Sequence, residues 1–247
     1  MQLAERIAEW LRGKVVEARR EGIVVGLSGG IDSATVGALA KKAMGDKVLG
    51  LIMPCGSIPA DERDATLAAR SLGIKTERVD LTPMFEMLLA TLPPGQDLAR
   101  ANLKPRLRMM TLYYFANNLN YLVAGTGNKS ELIVGYFTKY GDGGVDVLPL
   151  AGLVKTQVRE LANELKVPRE IVERVPSAGL WEGQTDEGEM GITYEELDRT
   201  IQLVEAGDLS RCDPRTLETV RRLYQASEHK RSLAEIFYPE ERKAFIL

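Results

Sequence analysis

The chain has 247 residues, 45% of them hydrophobic and 27% charged, a balance that excludes disordered, collagen-like and disulfide-scaffold classes. Lys plus Arg number 32 against 35 Asp plus Glu, a formal charge of −3, so the basic excess of a counterion-releasing binder is missing and no nucleic-acid partner is expected. One histidine, His229, rules out HExxH zinc hydrolysis and paired-histidine metal sites within a single chain.

The two cysteines, Cys55 and Cys212, form no CxxC pair and fit a reducing compartment. The opening stretch MQLAERIAEWLRGKVVEARR interleaves charge with apolar groups and lacks the h-region of a signal peptide. No run reaches the ~20 apolar residues of a membrane span. A cytoplasmic protein without a membrane partner is the expectation.

Leu3, Ile7, Trp10, Leu11 and Val15 recur at helical spacing and predict an N-terminal amphipathic helix. Ile23 to Leu27 reads as a buried strand that runs into Gly and Ser, and the Ala-rich stretch 34–44 as a helix. The alternation repeats with a strand at 48–53, a helix at 61–72, a weaker strand at 76–81 and a helix at 83–92. Pro93-Pro94-Gly95 interrupts it before a longer helix at 103–118, a strand at 121–125 and a fifth candidate strand at 145–150.

This order predicts an α/β fold: a doubly wound, mainly parallel five-stranded sheet with helices on both faces and a helical C-terminal extension. The expected organisation is one domain, with an α/β core over 1–150 and a helical part over 151–247. Stripes at Val154, Val158, Leu161, Leu165 and at Leu197, Ile201, Val204 mark helices in that second part. The stretch 176–191, rich in Gly, Glu and Asp, is too polar for core and reads as a lid or binding loop. In such sheets ligands sit beyond the carboxyl ends of the strands, which directs attention to the loops after Leu27 and Ala124.

The sharpest local feature is Gly26-Leu27-Ser28-Gly29-Gly30-Ile31-Asp32-Ser33, a strand, a glycine turn and a helix start. Glycines admit a ligand close to the backbone, and unpaired N–H groups at a helix start carry the positive end of its dipole. Asp32 beside phosphates makes sense as a Mg²⁺ ligand. A glycine turn with Asp32 or Ser33 as N-cap is the bland alternative. No lysine follows in the GxxxxGK[ST] pattern, so this is not the P-loop of kinases and GTPases.

SGGIDS resembles the PP-loop, SGGxDS, of the ATP-pyrophosphatase superfamily. Within it the chain resembles the ammonia-dependent NAD synthetases, most specifically over Gly125-Thr-Gly-Asn-Lys-Ser-Glu131 and over Tyr136-Phe-Thr-Lys-Tyr-Gly-Asp-Gly-Gly-Val-Asp146. The resemblance implies amidation of deamido-NAD by ammonia, with ATP cleaved to AMP and pyrophosphate through an acyl-adenylate. It implies ATP binding by Gly26, Leu27, Ser28, Gly29, Gly30, Ile31, Asp32 and Ser33, with Thr126, Lys155 and Ser177, and Mg²⁺ held by Asp32 and Glu131. Arg106, Lys139, Asp146, His229 and Lys230 would contact deamido-NAD. Asp142 and Lys155 would be catalytic, Asp142 by holding ammonium and taking its proton.

Each assignment has a plainer alternative. Glu131 suits the first turn of a helix capped by Asn128 or Ser130, Lys155 suits a solvated surface, and Asp142 and Asp146 suit turns. Arg106 and Arg108 lie on opposite sides of one helix, and Arg106 is the better candidate for the ligand. Cys55 reads as a packed thiol. Ser177 stands where the family pattern has threonine. Ile52 stands where several relatives carry an arginine.

Members that draw nitrogen from glutamine carry an amidase domain for which 247 residues leave no room, so free ammonia is the expected donor. The helix at 103–118 is apolar on more than one face, which fits core or an interface. The family's habit makes a homodimer the expectation. The competing readings are another PP-loop adenylating ligase or amidotransferase, and a nucleotide sensor without turnover.

Overall fold

The computed structural model describes residues 2–181 and 183–237. Glu182 of the expected loop and residues 238–247 of the expected helical extension lie outside the described residues. In chain order the elements are α1 (Leu3–Glu17), β1 (Gly22–Gly26), α2 (Ile31–Met44), β2 (Val48–Ile52), α3 (Pro59–Leu72), β3 (Lys75–Arg78), α4 (Thr82–Thr91), α5 (Asp97–Ala101), α6 (Leu103–Leu119) and β4 (Tyr121–Ala124). The helical part follows as α7 (Lys129–Val134), α8 (Lys155–Glu164), α9 (Arg169–Val172), α10 (Asp186–Met190), α11 (Tyr194–Glu205), α12 (Pro214–Ala226) and α13 (Glu228–Arg231).

The sheet is parallel, in the order β3-β2-β1-β4. Strand β1 is central, with Val24 in register with Leu49 on one side and Val123 on the other. Its side chains alternate between faces, as a strand requires. Ile23 and Val25 join a core with Leu11, Val15, Leu39 and Leu161, beneath α1, α2 and α8. Val24 joins Leu51, Leu81, Leu107 and Val123 beneath α4 and α6. Helices therefore cover both faces, and the β1–α2 and β4–α7 loops emerge side by side at the carboxyl ends.

The expected fifth strand is absent: the described sheet has four strands. Residues 145–150 make only one isolated bridge, Ala124 with Val147. Two features explain this. The Asp146 carboxylate, not a backbone carbonyl, accepts the Val123 N–H at 2.8 Å, and Pro149 has no N–H to offer a ladder. Strand β3 is also shorter than expected and exposed along its length, as suits an edge of Lys, Thr, Glu and Arg.

Helix α1 buries Ala4, Ala8, Leu11 and Val15, while Trp10 is exposed. Val204 is likewise exposed on α11. The polar stretch 176–191 is not all loop: it contains α10, and Gln184, Asp186 and Met190 are buried. A third apolar cluster ties Val134 of α7 and Val154 to Tyr194, Leu197, Ile201 and Val220 of the C-terminal helices. No helix among the described residues is long and apolar enough to cross a membrane.

Candidate active site at the sheet's carboxyl edge

A cavity of about 400 Å³ opens where β1, β2 and β4 end. Its floor is the β1–α2 turn, with Gly26, Leu27, Ser28, Gly30, Ile31, Asp32 and Ser33 lining it. Hydroxyls brace this turn from inside: Ser33 Oγ accepts the Ser28 N–H at 3.1 Å and donates to the Gly30 carbonyl at 2.9 Å. Gly29 has φ +82°, and a Cβ there would lie 2.6 Å from the Asp61 carbonyl oxygen. Only glycine fits where α3 closes on the turn. Gly29 itself is not among the lining residues.

Lys155 is the least expected feature. It is 2% exposed, so the solvated-lysine alternative fails. Its ammonium contacts the Asp32 carboxylate and lies 3.7 Å from Glu131 Oε1. It also lies 5.0 Å from the centre of the Tyr194 ring. Burial works to lower its pKa, but Asp32 and then Glu131 outweigh it, and the net direction is upward. Glu131 also moves upward: burial, reinforced by Asp32, pushes it up to about 8.

Glu131 takes the helix-start place that its sequence suggested and also lines the cavity. Asn128 caps α7, and Glu131 Oε2 accepts the Asn128 N–H at 3.1 Å in a capping box. That leaves Oε1 facing Lys155, with the Tyr194 hydroxyl oxygen 3.4 Å away. Asn128, fully buried, also donates to Asp32 Oδ1 at 3.0 Å. One amide thus ties the two loops that carry the acids. Among the described residues no group of three or more His, Cys, Asp or Glu is placed to hold a metal. Two carboxylates with room for phosphate oxygens and water nonetheless suit Mg²⁺, which keeps waters and takes one or two carboxylates.

Asp142, Thr126, Ser177 and Lys230 also line the cavity. Asp142 is exposed to the cavity, its Oδ1 accepts the Thr138 N–H at 2.9 Å, and the protein packed around it, by displacing water, raises its pKa. Lys230 donates to the Gly135 and Phe137 carbonyls at 2.7 and 2.8 Å, and burial lowers its pKa. The other expected dinucleotide contacts lie outside the lining. Arg106 is exposed and donates to the Asn102 and Lys139 carbonyls, each at 3.3 Å. It is Arg108 that lines the cavity, held by the Met53 carbonyl at 3.2 Å and Ser57 Oγ at 3.3 Å. Lys139 is tied to the His229 and Ser232 carbonyls. Asp146 accepts from Tyr113 and from the Val123 N–H, and His229 is exposed on α13.

Sequence reasoning missed several lining residues. Arg174 lines the cavity and pairs with Asp61 and with Asp64, the latter at 3.0 Å, pinning the start of 176–191 to α3. Asp186 accepts from the Tyr194 hydroxyl at 2.9 Å, while its Oδ1 is buried without a partner. Burial raises its pKa. No spacing pattern marks these residues; an aspartate in a polar run reads as loop. Cys55 is packed, its thiol 3.9 Å from the Leu81 carbonyl and raised in pKa by burial.

Comparison with known proteins agrees with this geometry. The NH(3)-dependent NAD(+) synthetase of Carboxydothermus hydrogenoformans is 50% identical over 237 residues, covering 94% of this chain and 95% of its own. The structure of an NMN synthetase from Francisella tularensis superposes with a TM-score of 0.89 at 41% identity, covering 95% of this chain and 96% of that one. The NH3-dependent NAD synthetase of Campylobacter jejuni superposes at 0.83 with 28% identity, covering 96% and 98%. The family model described as NAD synthase matches residues 3–234. Two acids facing a buried lysine beside the glycine turn fit this full-length match, and the match shows that the chain belongs to the NAD synthase family.

Proposed function

We propose that this enzyme amidates deamido-NAD with ammonia, consuming ATP and releasing NAD, AMP and pyrophosphate. The observation that carries the reading is Lys155, buried between Asp32 and Glu131 at the end of the Gly26–Ser33 turn. A carboxylate is a poor electrophile, and adenylation cures that. An oxygen of the nicotinate carboxylate attacks the α-phosphorus of ATP, and the bond to pyrophosphate breaks. Ammonia then attacks the activated carbonyl, and AMP leaves with the carboxylate oxygen. The protein's part is positioning and charge neutralisation.

The residue roles we propose are those the family resemblance implies. The Gly26–Ser33 turn, Thr126, Ser177 and Lys155 hold ATP, with Lys155 as a fixed charge at the phosphates. Asp32 and Glu131 would hold Mg²⁺, which would neutralise the triphosphate and the departing pyrophosphate. Glu131, half of a crowded acid pair, favours exchanging its proton for such a cation. Asp142 faces the cavity with its pKa raised, which suits a group that takes a proton from ammonium.

Arg106, Lys139, Asp146, His229 and Lys230 form the deamido-NAD side. Arg106 shares an outward stripe of α6 with Met110 and Tyr114, both well exposed. A homodimer formed on that stripe would carry Arg106 into an interface with the dinucleotide. Substitution of Met110 and Tyr114 by Glu should then yield monomers in sedimentation. The composition and reduced cysteines favour the cytoplasm.

One comparison favours a second acceptor. The Francisella structure is that of an NMN synthetase, and nicotinate mononucleotide carries the same reacting carboxylate. The test offers equal concentrations of both acceptors with Mg·ATP and ammonium. NAD as the main product supports the dinucleotide reading; nicotinamide mononucleotide as the main product would replace it.

A further inference from the structure

Behind Glu131 and Lys155 lies a second carboxylate site that touches no ligand. Asp198 of α11 is 2% exposed, and its two oxygens bridge separate elements. Oδ1 accepts from Ser130 Oγ of α7 at 2.5 Å, and Oδ2 accepts the Thr156 N–H of α8 at 2.7 Å. Ser130 Oγ in turn accepts the Lys155 N–H at 3.0 Å. The first two N–H groups of α8 are thus satisfied by side chains from two other helices. Neither Ser130 nor Asp198 lines the cavity. Glu131, next to Ser130 in sequence, and Lys155, whose N–H Ser130 accepts, do.

We infer that Asp198, acting through Ser130, is a positioning residue that fixes the Glu131 carboxylate and the Lys155 ammonium relative to each other; the inference rests on the ATP-binding role proposed above. Its charge faces the positive end of α8 and a hydroxyl donor, which allows a carboxylate to stay buried there. Glu131 is held at its own end by Asn128, and the Lys129 N–H donates to the Leu153 carbonyl at 2.8 Å; Asp198 adds the side-chain link that fixes the spacing between the starts of α7 and α8. Groups that orient a ligand's holder are commonly worth about 10–100-fold in affinity or activity.

The test uses the full chain and the variants Asp198→Asn and Ser130→Ala, singly and together. Four quantities are read: melting temperature without ligand, Mg·ATP affinity by calorimetry, kcat, and KM for deamido-NAD. Weaker Mg·ATP binding by about 10-fold and a kcat lowered about 10–100-fold are expected, with KM for deamido-NAD within twofold. The double variant should lose no more than the larger single loss, because both act on one link. A lowered melting temperature with wild-type Mg·ATP affinity and kcat would overturn the inference and leave Asp198 a helix cap. If Asp198→Asn does not fold, Ser130→Ala, which removes one hydroxyl, decides alone by the same readings. Failure of the wild-type chain to make NAD would overturn the proposed function instead.

Discussion

The proposed phosphate site, which lines the cavity, and the proposed deamido-NAD contacts, of which only Lys230 lines it, are built differently. At the phosphate end, Asp32, Asn128, Glu131 and Lys155 come from loops and helix starts that hold one another through short contacts, and Asn128 and Lys155 are buried. At the deamido-NAD end, Arg106, Asp146 and His229 are exposed, and Lys139 and Lys230 spend their donors on backbone carbonyls of neighbouring segments. Charges set in a rigid, low-dielectric site act strongly on a polyphosphate without reorganising. Exposed charges are screened and contribute mainly to binding. Chemistry should therefore be sensitive to the first end, and acceptor affinity to the second.

Four measurements would break or sharpen that contrast. Asp32→Ala removes a carboxylate that faces Lys155 and should cut Mg-dependent pyrophosphate release by at least about 10²–10³-fold; near-normal release would remove its assigned role. Asp142→Ala should leave pyrophosphate release intact while slowing NAD formation about 10²-fold. Equal loss of both steps would count against a role confined to amidation. Arg106→Ala should raise KM for deamido-NAD about 10-fold with kcat within twofold, the signature of uniform binding.

The fourth effect is smallest and concerns pH. Glu131 is raised from 4.5 to about 8 in the folded protein, so the folded state holds a proton that the unfolded chain gives up. The stability this contributes is fully present below about pH 4.5 and is lost as pH rises through about 8. Binding a cation there requires release of that proton. Mg·ATP affinity should therefore climb, by at most about tenfold per pH unit, and level off above pH 8. A flat calorimetric profile between pH 6 and 8 would contradict it.

The same contrast explains what could be read from the sequence. The phosphate end is local: a buried strand, a glycine turn and a helix start lie within Ile23–Ser33, and their spacing is their geometry. Glu131 was legible as the first-turn acid of a helix capped by Asn128. Lys155 was found only through family resemblance, because nothing local says that a lysine at a helix start is 2% exposed. Arg106 and Arg108 were separable by helical period, but which of them faces the cavity depends on how α6 lies against β1 and β4. The fifth strand failed for a local reason, a carboxylate at Asp146 taking a ladder partner's N–H. Asp186 and Arg174 became visible only once the chain folded back, across distances that periodicity does not cover.

The most direct test is a single-turnover reaction with enzyme in excess over Mg·ATP and deamido-NAD, first without ammonium. The expected result is pyrophosphate without NAD, then NAD and AMP together once ammonium is added. Pyrophosphate that appears only after ammonium arrives would contradict a phosphate end able to complete adenylation by itself.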